Sequence, residues 1–268
     1  MRRRRPRYEQ CRSSAALDGD KRQPLFEGYG MTENVAGATL NYPENNKIGS
    51  VGRAFPGTQI QIKEGGEIVI KGDHVMKGYY NNPSATAETI IDGWLHTGDV
   101  GKIDSDGFVS ITGRIKEIYV SSGGKNIPPL VIEETMKSIP IISQCFLVGD
   151  GRKYCSALFT LDVGTILRDK LNVETTEIPK DPAKQIAMLS DLGKSLSDYT
   201  ESSDLFAEIE TSVQSLNGQF SNPEQVKKFT ILPRDFTVDD RELTPTLKIR
   251  RKQIRENWAD LIEAMYTD

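Results

Sequence analysis

Four short stretches of this sequence hold side chains that could handle phosphate and sugar. In Tyr29-Gly30-Met31-Thr32-Glu33-Asn34 a hydroxyl and a carboxylate follow a strand-like stub and a glycine. That pair suits a phosphate contact plus magnesium, which takes oxygen ligands beside nucleotide phosphates; it is also the composition of an ordinary turn cap. Asp99, after Thr97-Gly98, could accept both hydroxyls of a ribose or close an Asx turn. Arg114, just past Gly113, carries a rigid donor fork for a ribose, a phosphate or a surface ion pair. Lys248 follows Thr244-Pro245-Thr246-Leu247 at a loop-to-helix transition. A lysine delivered there could neutralise an acyl-phosphate transition state, or sit solvated at a helix end.

Other motifs exclude chemistry. Gly49-Ser50-Val51-Gly52-Arg53 lacks the spacing and the βαβ setting of a dinucleotide fingerprint. Ser122-Gly123-Gly124-Lys125-Asn126 lacks the leading glycine and the closing Ser or Thr of a Walker A loop. His74 and His96 have no partner set for a triad or a zinc site, so His96-Thr97-Gly98 reads as loop architecture. Hydrolase and metalloprotein classes are rejected on these grounds.

The elements that must carry these residues change character near Gly113. From residue 25 to 113 the sequence is short alternating runs broken by glycine and asparagine, predicting strands at 58–63, 67–71 and 108–112 and a short helix at 84–90. That pattern predicts a small antiparallel β-barrel or sandwich. Beyond it come a strand at 117–120, a turn at Gly123-Gly124, and a helix opened by Pro128 and Pro129 that runs to about residue 138. Strands follow at 142–148, 156–161 and 227–232. Ile186, Leu189, Leu192 and Leu196 recur at helical spacing, as do Leu205, Ile209, Val213 and Leu216, predicting an inserted helix pair. A final helix is predicted from Leu247 to about Met265, and the whole segment reads as α+β.

Composition sets the outer limits. The 268 residues are 37% hydrophobic and 27% charged, a globular balance, and no apolar run approaches the ~20 residues of a membrane span. Cys11, Cys145 and Cys155 offer neither a disulfide framework nor paired metal spacing, and no secretory signal is evident. A reducing, cytoplasmic location is expected, with association to the cytosolic face of membranes left open. Residues 1–22 hold eight Lys or Arg against Glu9, Asp18 and Asp20, so they carry +5 of a net charge of −4 and the remainder −9. Without interleaved aromatics residues 1–24 are read as a disordered basic terminus, and nucleic acid is not expected as a partner.

Taken together, 29–34, 48–57, 66–80, 93–99, 106–126 and 243–251 resemble the adenylate-forming acyl-CoA synthetases, over most of residues 25–268. Ser121-Ser122-Gly123-Gly124-Lys125-Asn126 and Leu243-Thr244-Pro245-Thr246-Leu247-Lys248 are similar to the long-chain fatty acid branch, bubblegum-type ligases in particular. The resemblance implies ATP, Mg2+ and coenzyme A as the small molecules and a long-chain fatty acid as substrate, with a membrane surface nearby. It implies a two-step reaction through an acyl-adenylate and then a thioester. Gly30 and Met31 would line the adenine pocket, Thr32 would bind phosphate and Glu33 would hold magnesium. Asp99 would accept the ribose hydroxyls with Arg114 assisting. Lys116 would be the hinge between domains 25–115 and 116–268, the latter bearing an insertion at about 180–218. Gly123 and Gly124 would line the pantetheine tunnel, and Lys248 would stabilise the adenylation transition state.

The family's Ser/Thr/Gly-rich phosphate loop has no counterpart upstream of Tyr29, and residues 1–24 depart from the family pattern. The expectation is therefore a ligase in truncated form with negligible activity of its own. The alternative is a non-catalytic piece with residual nucleotide or protein binding.

Overall fold

The computed structural model describes residues 24–267 and divides into two compact units, Met1–Ile111 and Thr112–Asp268. Residues 1–23 of the expected disordered terminus, Cys11 among them, lie outside the described residues.

In the first unit the short alternating runs become short strands. β1 (Gly28–Tyr29), β2 (Thr39–Leu40) and β3 (Arg53–Ala54) form one antiparallel sheet in that order. β4 (Gln59–Ile62), β5 (Glu67–Lys71), β6 (Ile90–Ile91) and β7 (Trp94–Ile103) form a second in the order β4-β5-β7-β6, and β8 (Val109–Arg114) also pairs with β7. Glycine makes the tight β4–β5 link possible, because Gly65 and Gly66 both adopt the left-handed backbone. α1 (Pro83–Thr89) starts where Asn82 accepts the Ala85 N–H at 3.1 Å and proline occupies the first turn. Ala38, Ile68, Ile70, Leu95 and Val109 form the core, with Tyr29 and Met31 packed against it. The expected barrel is not found: among the described residues the strands make two open sheets. The two-residue strands β1, β2, β3 and β6 are too short to carry a ladder around a closed circuit.

In the second unit β9 (Tyr119–Val120) and β10 (Asn126–Ile127) form a hairpin, followed by α2 (Pro129–Met136). β11 (Ile142–Val148), β12 (Cys155–Leu161) and β13 (Val226–Ile231) make the main sheet, antiparallel between the first two and parallel between the last two. A parallel neighbour needs a long crossover. Here it holds α3 (Val163–Thr165), α4 (Pro182–Asp191), α5 (Ser197–Thr200) and α6 (Ser203–Asn217). All seven residues of β12 are buried, as befits a central strand covered on both faces. Alternation sorts its side chains: Ala157, Phe159 and Leu161 join Ile132, Leu189 and Ile209 on one side. Leu158, with Phe146 and Val148 of β11, meets Ile254 and Ile262 on the other.

Two expected helices are shorter than their periodicity suggested. Gly193, left-handed at φ 71°, follows the end of α4, so Leu196 falls beyond it. The single terminal helix is two, α7 (Arg251–Asn257) and α8 (Ala259–Ala264), parted at Trp258. Trp258 leaves helical geometry at φ −115°, ψ 23°, and its indole N–H donates to Glu242 Oε1 at 2.8 Å.

Candidate functional site

The first candidate turn leaves β1 at Tyr29 and folds straight back. Gly30 lies so close to the returning chain that a Cβ would stand 2.1 Å from the Ala36 carbonyl oxygen. Met31 O accepts the Asn34 N–H at 3.1 Å and the Ala36 N–H at 2.9 Å, while Asn34 Oδ1 accepts the Met31 N–H at 2.8 Å. Val35 and Ala36 are both left-handed, at φ 56° and 67°. The result places Asn34 inside and leaves Thr32 exposed with Glu33 half-buried beside it. Glu33 is held twice: its carbonyl accepts the Met76 N–H at 2.7 Å, and Oε1 accepts the Tyr79 hydroxyl at 2.8 Å. The Glu33 carboxylate in turn raises the Tyr79 pKa above its ordinary value.

Asp99 reaches the same place from β7. It is 5% exposed and its Oδ2 accepts the Tyr29 hydroxyl at 2.6 Å, so the structure joins the 29–34 and 94–99 motifs directly. Arg114, Lys116, Gly123, Gly124 and Lys248 belong to the second unit. Arg114 and Lys116 are exposed at a 3-10 turn over Ile115–Glu117, where sequence alone predicts a strand beginning at 117. Gly123 and Gly124 are exposed at the tip of the β9–β10 hairpin. There the Gly124 N–H donates to Ser121 O at 2.8 Å, and Gly124 is left-handed with open space around it.

Lys248 sits on a small hairpin rather than a helix. Its carbonyl accepts the Thr244 N–H at 2.8 Å, its N–H donates to Thr244 Oγ1 at 3.0 Å, and Leu247 before it is left-handed at φ 59°. Buried ionic networks anchor both flanks of this loop. Glu242, fully buried, accepts from Arg234 Nη1 at 2.6 Å, Trp258 Nε1 at 2.8 Å and the Thr237 N–H at 3.1 Å. Burial opposes the Glu242 charge, yet these donors hold its pKa below the ordinary carboxylate value. On the other flank Arg251 makes a bidentate pair with buried Glu133 at 2.7 and 2.6 Å and also meets Tyr119 and Glu117, each at 3.2 Å. Burial likewise works against the Arg251 cation, and Glu133 more than offsets it, raising the guanidinium pKa. Burial also pushes the Tyr119 phenol up.

Sequence reasoning missed these supports. Glu133 stands between Ile132 and Met136 in an apolar helix, and Glu242 in a polar loop, with no spacing to flag either. A charged residue inside an apolar face was the available signal for Glu133.

Among the described residues no three His, Cys, Asp or Glu side chains gather into a metal cage. One carboxylate at Glu33 beside the exposed Thr32 hydroxyl fits a magnesium ion that draws its remaining oxygens from nucleotide phosphates and water.

The AMP-binding enzyme family matches residues 10–80, a span that takes in residues 10–24, which the sequence reading set outside the family pattern. The long-chain-fatty-acid–CoA ligase FadD15 of Mycobacterium bovis is 41% identical over 242 residues, 90% of this chain and 38% of that protein. The long-chain-fatty-acid–CoA ligase ACSBG2 of Gallus gallus is 38% identical over 259 residues, 91% of this chain and 33% of that protein. The chain thus spans about 38% of the length of the first of these relatives. Among solved structures, the O-succinylbenzoate coenzyme A synthetase of Bacillus subtilis in complex with ATP and magnesium matches with TM-score 0.59 and 25% identity, over 87% of this chain and 41% of that one. The adenylation domain of a Mycobacterium chelonae carboxylate reductase matches in fold with TM-score 0.64 and 20% identity, over 91% of this chain and 35% of that one. Described residues hold no helix long and apolar enough to cross a membrane. Its motifs, its fold and these relatives agree: residues 10–80 match the AMP-binding enzyme family, and about nine-tenths of the chain is similar to the long-chain-fatty-acid–CoA ligases.

Proposed function

We propose that this chain supplies one side of the adenylate site and the mobile lysine of a long-chain fatty acid–CoA ligase. The observation that carries the reading is the Tyr29–Asp99 hydrogen bond, which seats the ribose carboxylate against the turn bearing Thr32 and Glu33. In this reading Gly30 and Met31 face the adenylate, and Thr32 contacts phosphate. Glu33 holds Mg2+, which when bound draws off phosphate charge. Asp99, with Arg114, takes the ribose hydroxyls. Residues 25–115 are the end of an adenylation domain and 116–268 its mobile companion, hinged at Lys116. Gly123-Gly124 and Lys248 serve the thioester and adenylation steps in turn. Lys248 is suited to this because its hairpin presents an exposed cation on firmly anchored flanks.

The overall reaction proposed is attack of a fatty acid carboxylate on the α-phosphate of ATP, releasing pyrophosphate. Displacement of AMP by the thiol of coenzyme A follows. Titrating the 268-residue chain with AMP by calorimetry, and assaying ATP- and coenzyme A-dependent acyl-CoA formation, tests both levels. The expected result is AMP binding that Asp99→Asn weakens. Absence of AMP binding overturns the site, and acyl-CoA formation that Lys248→Ala leaves unchanged overturns the role given to Lys248. A second reading, protein binding without catalysis, is favoured by the exposure of Leu25, Val35, Ile48 and Tyr80 in the first unit.

A further inference from the structure

The pairing of β5 with β7 is irregular at one point. Val69 lies opposite His96 and Ile70 opposite Leu95, but Glu67 lies opposite Val100. Ile68 alone therefore faces Thr97, Gly98 and Asp99, so β7 carries two residues more than its partner across this interval. Such a bulge takes backbone amides out of the ladder, and each then needs another acceptor. Side chains provide them. Glu67 Oε1 accepts the Gly98 N–H at 3.0 Å, and Thr97 Oγ1 accepts the Asp99 N–H at 3.0 Å while donating to Ile68 O at 2.7 Å. Glu67 Oε2 lies 2.8 Å from His96 Nδ1, on the near side of the bulge. Gly98 takes the left-handed backbone, φ 70°, that lets the chain turn Asp99 inward to Tyr29.

We propose that Glu67, oriented by His96, is a positioning residue that fixes this bulge and thereby aims the Asp99 carboxylate at the ribose hydroxyls. The proposal rests on the ribose reading of Asp99. Glu67 is suited to the task because both its oxygens are engaged and its side chain is 15% exposed, with His96 at 25%, so water competes weakly for either contact. Neither residue has a role in the proposed chemistry. A pair serving only the sheet would affect stability without regard to the ligand. A pair that aims Asp99 must affect recognition of the sugar hydroxyls in particular.

The test compares binding of AMP with 2′,3′-dideoxyadenosine monophosphate, which lacks both hydroxyls, to the full chain. Glu67→Ala is expected to weaken AMP about tenfold and leave the dideoxy compound unchanged, and Glu67→Gln, which keeps an acceptor for Gly98, to stay within about twofold of the original for both. Should Glu67→Ala not fold, His96→Ala carries the same selective expectation at about threefold. An equal loss for both ligands, or no loss for either, overturns the proposal. Asp99→Asn separates it from the reading beneath. If that substitution leaves the preference for AMP intact, or the original chain shows none, the ribose reading fails and the proposal with it. If Asp99→Asn abolishes the preference while Glu67→Ala retains it, the positioning role alone is wrong.

Discussion

Gly30 shows how narrow the tolerance of the turn at 29–36 is. Its backbone is not left-handed, so conformational freedom is not what the position demands; the demand is space, since a Cβ would stand 2.1 Å from the Ala36 carbonyl oxygen. The Met31–Ala36 loop is already committed, with two left-handed non-glycine residues and Asn34 buried to cap the Met31 N–H. It cannot retreat without breaking those contacts. Gly30→Ala is therefore expected to cost roughly 1–3 kcal/mol, the usual penalty for overpacking. It should also weaken AMP binding, because Thr32 and Glu33 ride on the displaced segment. Urea unfolding of the first unit, followed alongside AMP titration, checks both; a variant with unchanged midpoint and affinity would show that the turn relaxes freely. The same tightness explains what a sequence can reveal at this scale. A glycine beside Thr32-Glu33 is visible as a motif, but the reason for it lies six residues on, in the path of the returning chain.

The elements that carry Lys248 depend on charges no periodicity announces. Arg251 at the start of α7 and Glu133 in α2 form a buried bidentate pair, with Glu133 also accepting the Leu147 N–H of β11 at 2.8 Å. Breaking such a pair strands a charge, so Arg251→Leu is expected to cost about 3–5 kcal/mol, whereas Arg251→Leu with Glu133→Leu should recover much of it. Denaturant midpoints of the single and double variants decide the matter, and equal losses in both would refute it. Glu242 makes a second prediction, of opposite visibility. Its folded pKa is lowered, so the stability it contributes is fully present above the unfolded carboxylate value and is lost as pH falls through the folded one. Stability of the original chain should therefore decline in acid more steeply than that of Glu242→Gln, a comparison of unfolding curves between pH 3 and 6; parallel declines would exclude Glu242 as the cause. Sequence legibility follows the same line. β5 at Glu67–Lys71 and β11 at Ile142–Val148 occupy their predicted residues because alternation or a continuous apolar run marks them. The break at Trp258 escaped because a tertiary partner, Glu242, sets it, and the hairpin at Lys248 because its local bonds to Thr244 leave no apolar periodicity to read. The barrel expectation is not confirmed for a related reason: turn signals count strands, but nothing local says whether a sheet closes.

At the scale of the whole molecule, the two units are built to very different depths. The second has a sheet covered on both faces, with Cys145, Phe146, Leu147, Ala157, Leu158 and Phe159 all fully buried. Burial there pushes the Cys155 thiol up to about 11, so both of its cysteines are inert core residues rather than reactive ones. Among the described residues of the first unit the core cluster holds five buried side chains, and β1, β2, β3 and β6 are only two residues long. Local opening free energy follows buried apolar contact, so protection should be graded accordingly. Amides of β11 and β12 are expected to exchange slowest, near the global unfolding limit, with β5 and the centre of β7 next and β1, β2 and β3 fastest among the strands. The turn at 29–36 would then sit on the more easily opened unit, and if it holds the nucleotide as proposed, AMP should slow exchange at 29–36 and 97–100 selectively while leaving 142–161 unchanged. Peptide-resolved hydrogen exchange with and without AMP measures this directly. Uniform protection across both units would contradict the grading. Ligand protection confined to the second unit would move the nucleotide away from Asp99 altogether.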